Sequence, residues 1–213
     1  MRTFANRVEA GQRLAAALER LRGRDFVVLG LPRGGVPVAA EVARALGAPL
    51  DVIVVRKLGV AWAPELAMGA IGEGGVRVLN ESVLREYRIA DGDVAQVESR
   101  ERAVLEERVR RFRGGRPPVA VNGRSVVVVD DGVATGATAR AACLVVRALG
   151  VERVVLAVPV GPPRLDVIFE AVADEVVCLQ TPRWFGAVGE AYRDFAQVTD
   201  DEVVALLEAA RTA

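Results

Sequence analysis

Five stretches of this chain are apolar almost without interruption: residues 26–30 (FVVLG), 51–55 (DVIVV), 125–130 (SVVVVD), 153–160 (RVVLAVPV) and 175–180 (EVVCLQ). A strand with one solvated face alternates apolar and polar residues. These do not alternate, so both faces must be covered, which is the condition of a parallel sheet with helices on each side. Helical patterns fall between the runs, at 36–46 before Gly47 and at 137–149 before Gly150. Each ends at a glycine of the kind a left-handed C-cap requires. Strand, loop and helix repeated in this order imply right-handed crossovers. The expected fold is α/β: a doubly wound, mainly parallel five-stranded sheet flanked by helices. Ligands of such sheets bind beyond the carboxyl ends of the strands, so the loops that follow these runs are where chemistry is to be sought.

A chain of 213 residues, 52% of them hydrophobic, is long enough to bury such a sheet as one unit spanning residues 1–213. The formal net charge of +0 gives the whole chain no electrostatic attraction to nucleic acid or to an acidic membrane, and neither is expected as a partner. No apolar run is long enough to cross a bilayer, and the opening residues mix charge with apolar positions as an amphipathic helix does; a cytoplasmic protein is expected. There is no histidine, which excludes every Ser-His-Asp arrangement. Cys143 and Cys178 lie alone in apolar segments and make no metal-ligand pattern. All but one of the 28 basic residues are arginine, and the exception, Lys57, directly follows one of the apolar runs. This lysine is either the chance remainder of an arginine bias or the mark of a site that wants a compact, flexible ammonium in place of a planar guanidinium.

Three segments depart from the repeat. Residues 56–80 are rich in glycine and predict a flexible loop with a short β-ribbon and no helix. Residues 91–115 predict a long charged helix with i,i+4 pairing that ends at Gly114 and Gly115, its arginine-rich end a solvated face. Residues 181–195 hold four of the ten aromatic residues, namely Trp184, Phe185, Tyr192 and Phe195. The spacing of Tyr192 and Phe195 fits one buried helical face, with Trp184 and Phe185 in a loop before it.

The stretch VVVVDDGVATGAT (126–138) places Asp130 and Asp131 at the end of a buried strand and Thr135 to Thr138 in a turn that opens the next helix. Free N–H groups at a helix N-terminus, two hydroxyls and a glycine form a phosphate cradle. Carboxylates do not bind phosphate; they suit sugar hydroxyls or a divalent cation. A ribose 5-phosphate satisfies both halves of the stretch.

These thirteen residues resemble, position for position, the phosphoribosyl-diphosphate (PRPP) binding motif of the type I phosphoribosyltransferases. The resemblance implies that family's five-stranded parallel sheet, with a flexible loop at 56–80 and a hood with a C-terminal helix at 181–213. It implies that Asp130 and Asp131 hold the ribose 2′ and 3′ hydroxyls and that Ala134, Thr135, Gly136, Ala137 and Thr138 hold the 5′-phosphate. In GLPRGGVPVA (30–39), Arg33, Gly34 and Gly35 match the loop that binds pyrophosphate. In VVRKLG (54–59), Arg56 and Lys57 match the basic turn beside the leaving group, with the segment up to Gly75 closing over the site to exclude water. Arg33, Lys57, Asp130 and Asp131 are thus the expected catalytic residues, and Trp184 and Phe185 the expected acceptor-stacking residues of the hood.

The implied reaction is displacement of pyrophosphate from PRPP by a nitrogen of a small-molecule acceptor, a nucleobase or related heterocycle, in nucleotide metabolism. The implied cofactor is Mg²⁺, held mainly on PRPP oxygens, with Asp130 and Asp131 as its protein ligands. A homodimer is expected. Members acting on 6-oxopurines carry an aspartate where this chain has Ala134, which counts against hypoxanthine or guanine as acceptor. Glu65 and Glu73 are candidate bases, each more simply a solvated loop carboxylate. The whole chain, including FANRVEAGQRLA (4–15) and FGAVGEAYRDF (185–195), resembles a group of uncharacterised predicted phosphoribosyltransferases. Two other readings stand beside this one. A non-catalytic regulatory protein sensing PRPP or nucleotides should carry a basic patch or an added binding domain. A phosphohydrolase with Asp130 as nucleophile should show an Asp-x-Asp spacing that is absent.

Overall fold

The computed structural model describes residues 3–212. The chain runs through α1 (Arg7–Ala17), β1 (Phe26–Gly30), α2 (Gly35–Leu46) and β2 (Leu50–Val52). An antiparallel insertion follows, made of β3 (Val55–Val60), β4 (Ala63–Gly72) and β5 (Arg77–Leu79), and then α3 (Glu81–Glu86) and the long α4 (Asp91–Arg113). The parallel pattern resumes with β6 (Ser125–Val129), α5 (Ala137–Ala148), β7 (Arg153–Val160), α6 (Leu165–Phe169) and β8 (Glu175–Gln180), and the last helix is α7 (Asp200–Thr212). Strand order in the main sheet is β2-β1-β6-β7-β8, with every pairing parallel. The expected doubly wound, five-stranded sheet is therefore what the chain forms.

The valines of β6 show why the run does not alternate. Val127 and Val129 belong to the core shared with α1, α2 and α7, whereas Val126 and Val128 belong to the core shared with α5 and α6. Successive side chains of a strand point to opposite faces, so a strand between two helical layers needs an apolar residue at each position. Each buried valine contributes roughly 1.5–3 kcal/mol. β8, at the edge of the sheet, is only half-buried along its length.

Two expectations are corrected here. Residues 51–55 are not one strand: β2 ends at Val52, and Val55 instead pairs with Gly72 in the antiparallel sheet. The parallel ladder stops there because β1 ends at Gly30, opposite Val52, and the Gly30 carbonyl takes the Ile53 amide at 3.1 Å as the last bond; the groups on the outer edge of the strand are held elsewhere. The Val54 amide donates to Glu73 at 3.1 Å, and the Val52 carbonyl accepts from Arg113 at 3.0 Å. The arginine-rich end of α4 is likewise not all solvated. Arg113 is 4% exposed, and its guanidinium pairs with Asp51 and Glu73. Glu73 is consequently neither a solvated carboxylate nor free to act as a base. A short helix, α3, follows the ribbon just beyond the 56–80 interval in which no helix was expected. Among the described residues, no helix is long and apolar enough to cross a membrane.

The parallel register decides where the site lies. Gly30 of β1 stands opposite Val129 of β6, so the two strands end side by side. The loops that follow them, 31–34 and 130–136, emerge as neighbours, and the Leu31 amide bonds the Val129 carbonyl at 2.8 Å.

Candidate active site

Asp130 and Asp131 follow directly after β6, as the apolar run requires. The Asp131 amide donates to the Asp130 carboxylate at 2.9 Å, which bends the chain at the strand end. Across from the pair lies the loop that opens α2. Gly34 is the point of closest approach: a Cβ built there would lie 2.0 Å from Asp131 Oδ2, and Gly34 has an ordinary helical φ of −61°. The requirement for glycine at this position is contact with the carboxylate, not backbone conformation. The peptide bond between Pro32 and Arg33 in the same loop is cis.

The turn after the acids ends at Gly136, whose φ of +80° lies in the left-handed region that L side chains avoid. From there α5 begins with no side-chain cap. The first-turn N–H groups of a helix have no partners within it, and their partial positive charge draws anions. Ala134, Thr135 and Thr138 are at least partly exposed around this turn. Acid pair and helix terminus thus stand at one strand end, as the motif predicts.

Burial raises the pKa of both carboxyls. Asp130 lies well above the usual range, first because it is desolvated and then because Asp131 is beside it. Asp131 is raised by desolvation and opposed by Arg7. Arg7, the first residue of α1, was not singled out from sequence. Its Nε and Nη2 both lie 2.8 Å from Asp131 Oδ2, and its Nη1 donates to the Ala196 carbonyl at 2.8 Å. Its guanidinium stacks 3.9 Å from the centroid of Phe195. One signal was available in advance: a cation in the first turn of a helix opposes the helix dipole, and such a placement needs a compensating partner.

The aromatic segment is not helical where the spacing suggested. A short 3-10 turn at Val188–Ala191 leads into Tyr192, which is extended and pairs with Phe4 as an isolated bridge. Three backbone bonds join the first described residues to this segment: Phe4 N to Ala191 O, Arg193 N to Phe4 O and Asp194 N to Ala5 O. Tyr192 is buried and donates its hydroxyl to the Asp131 carbonyl oxygen at 2.5 Å. Phe195 carries the Arg7 stack. Residues from both ends of the domain therefore converge on Asp131.

The two basic residues after β2 point in opposite directions, because they alternate along β3. Arg56 faces α4 and pairs with Glu101 at 2.6 Å, on the opposite side of β3 from the cleft that Lys57 lines. Lys57 faces α5. It lies 3.1 Å from Glu65, itself 90% exposed, and lines a cleft of about 410 Å³ with Ala137 and Arg140. The cleft beside Asp131 is a different one, of about 380 Å³, lined by Arg7, Arg33, Gly34, Phe195, Gln197 and Val198. Of the two hood aromatics, Trp184 is 92% exposed on a cleft of about 560 Å³ with Thr181, Arg183 and Glu190, whereas Phe185 packs onto the small cluster around Phe4 and Tyr192.

Among the described residues, no three acidic, histidine or cysteine side chains gather into a metal cage. At the strand end the protein offers only Asp130 and Asp131, and one Asp131 oxygen is engaged by Arg7. That donor set fits a hard cation whose other ligands are oxygens of the substrate.

Comparison with known proteins agrees with this geometry. The family model described as phosphoribosyl transferase domain matches residues 4–195. A Mycobacterium tuberculosis H37Rv protein named "Putative phosphoribosyl transferase Rv0571c" is 57% identical over 210 residues, covering 99% of this chain and 47% of its own length; its counterpart in strain CDC 1551 matches equally. The chain thus spans about half the length of the curated relatives it matches. The crystal structure of the protein TT1426 from Thermus thermophilus is 51% identical, covers 96% of this chain and 97% of that one, and superposes with a TM-score of 0.89. By sequence match over most of its length and by the fold it shares at high identity, this chain belongs to the phosphoribosyl transferase domain family.

Proposed function

We propose that this domain transfers the 5-phosphoribosyl group of PRPP to a nitrogen of a small heterocyclic acceptor and releases pyrophosphate. The observation that carries the reading is the contact between Gly34 and Asp131. It brings a glycine loop suited to a diphosphate against a carboxylate suited to a ribose, on strands held in register. In this reading Asp130 and Asp131 accept hydrogen bonds from the ribose hydroxyls. The uncapped start of α5, with Thr135 and Thr138, receives the 5′-phosphate. Arg33 and the neighbouring loop stabilise the charge that develops on the departing diphosphate, as preorganised donors do for other leaving groups. Mg²⁺, when bound with the substrate and held by Asp130 and Asp131, would supply further positive charge to the diphosphate oxygens. The β3–β4 hairpin serves as the cover that keeps water from the reacting carbon. The acceptor enters on the side of the exposed Trp184.

Calorimetry with PRPP and Mg²⁺ tests the first half, with binding expected at micromolar to low-millimolar strength, about 4–8 kcal/mol. A screen of free nucleobases and heteroaromatic amines for pyrophosphate release tests the second. No heat and no thermal shift with PRPP at any Mg²⁺ concentration would remove the proposal.

A further inference from the structure

The leaving group of the proposed reaction carries several negative charges, yet Arg56 is held by Glu101 and Lys57 faces α5. The cleft beside Asp131 is lined instead by Arg33 and Arg7. Arg33 is only loosely committed, 3.7 Å from Asp200 with both side chains well exposed. Arg7 is nearly buried, its side chain 11% exposed, and it is held on three sides. Asn6 caps α1 through the Glu9 amide at 3.0 Å and fixes the backbone from which Arg7 extends. Phe195 supports the flat face of the guanidinium, and the Ala196 carbonyl takes one Nη1 hydrogen.

A guanidinium has five N–H donors. Nε donates to Asp131 Oδ2 and Nη1 to the Ala196 carbonyl, and Nη2 makes an ion-pair contact with the same Oδ2 at 2.8 Å. One hydrogen on Nη1 and one on Nη2 remain, on a side chain that lines the cleft. A planar fork with two spare donors matches the geometry in which arginine binds phosphate oxygens. Resting on the functional reading above, we propose that Arg7 is a substrate-contacting residue. It gives its two remaining N–H groups to the diphosphate of PRPP while its other edge holds the ribose-binding Asp131. One side chain from the first turn of α1 would then tie the position of the sugar to that of its leaving group.

The competing explanation is that Arg7 only neutralises Asp131, in which case its loss would weaken diphosphate binding indirectly by leaving a bare carboxylate at the cleft. A double-mutant cycle separates the two, with inorganic pyrophosphate in the absence of Mg²⁺ as the probe, so that loss of a metal ligand does not enter the comparison. Asp131→Asn should bind pyrophosphate at least as tightly as the wild type. Arg7→Gln should bind at least tenfold more weakly, and Arg7→Gln combined with Asp131→Asn should stay equally weak. If the double variant returns to within twofold of Asp131→Asn, Arg7 acts on the carboxylate alone and the proposal is overturned. Should Arg7→Gln fail to fold, Arg7→Met keeps the aliphatic stem over Phe195, and the same cycle is read with it. The wild type distinguishes this failure from the wider one: absence of both PRPP and pyrophosphate binding refutes the functional reading and Arg7's role with it. Wild-type binding combined with recovery in the double variant removes only the role of Arg7.

Discussion

Arg113, the last residue of α4, donates through Nη1 to both carboxylate oxygens of Asp51, at 2.7 and 2.6 Å, across 62 residues of sequence. Its Nε and Nη2 engage Glu73 at 2.6 and 3.0 Å, and Asp51 also accepts from the Val119 amide at 2.8 Å. One guanidinium thus ties together the edge strand of the main sheet, the far end of the antiparallel ribbon and the segment leading into β6. Removing a single member of a buried ionic group costs far more than the group contributes as a whole, because the remaining charges stay desolvated. Arg113→Met is expected to destabilise the domain by about 3–5 kcal/mol. Urea denaturation followed by far-UV dichroism measures this, and a loss under about 1 kcal/mol would show that the two carboxylates find other compensation.

Asp130 is expected to show a conflict between stability and function. Its folded-state pKa lies above the ordinary 3.8, so between 3.8 and that higher value the native state binds more protons than the unfolded state. Stability from this group is therefore complete below 3.8 and is lost as pH rises through the folded value. Asn is nearly isosteric with the neutral acid and keeps an oxygen for the Asp131 amide. Asp130→Asn should accordingly melt at a higher temperature than wild type at pH 8, with the gap closing toward pH 4, while PRPP binding is lost. Melting curves across pH that run parallel, with no narrowing, would contradict the assignment.

Gly34→Ala tests the contact that carries the functional reading. The backbone at Gly34 suits any residue, so the added methyl acts only by displacing the Asp131 carboxylate, whose Oδ2 lies 2.0 Å from the ideal Cβ position. Overpacking of this kind costs about 1–3 kcal/mol in stability. Ribose 5-phosphate and PRPP affinities should both fall tenfold or more. Unchanged affinity for both ligands would mean that Asp131 does not hold the sugar in this position.

The two aromatics proposed to meet the acceptor, Trp184 and Phe185, should behave differently from one another. Trp184, almost fully exposed, is expected to raise the KM of an acceptor when changed to alanine and to leave the melting temperature within a degree or two. Phe185, packed onto the cluster around Phe4 and Tyr192, should lower the melting temperature when changed to alanine. Steady-state kinetics with the first acceptor found, beside thermal melts, makes the comparison. The reverse pattern would relocate the acceptor surface.

The elements that were legible in the sequence depend on neighbours within a few positions. Unbroken runs such as VVVVD require two covered faces, and glycines at 47, 114 and 150 end helices where no side chain can. Asp130, Asp131 and the Thr135–Thr138 turn share one strand end, so their arrangement follows from their order, and the family resemblance follows from the same thirteen residues. What the local pattern could not settle was which of many similar arginines meets which acid. Arg7 reaches Asp131 across 124 residues, Arg113 unites Asp51 with Glu73, and Arg56 is taken by Glu101. Apart from the unfavourable place of Arg7 in the first turn of α1, nothing within a few residues distinguishes these guanidiniums from solvated ones. Their partners are decided by which helix packs on which edge of the sheet, and the break after Val52 is tertiary too, since the parallel ladder runs no further than the end of β1 at Gly30. Sequence thus determined the sheet and the placement of the acid pair and the helix start at one strand end, through local periodicity and steric rules. The charge pairing around that chemistry was decided only by the tertiary structure, because the Coulomb and desolvation energies of a charged group depend on distance and burial, and chain order specifies neither.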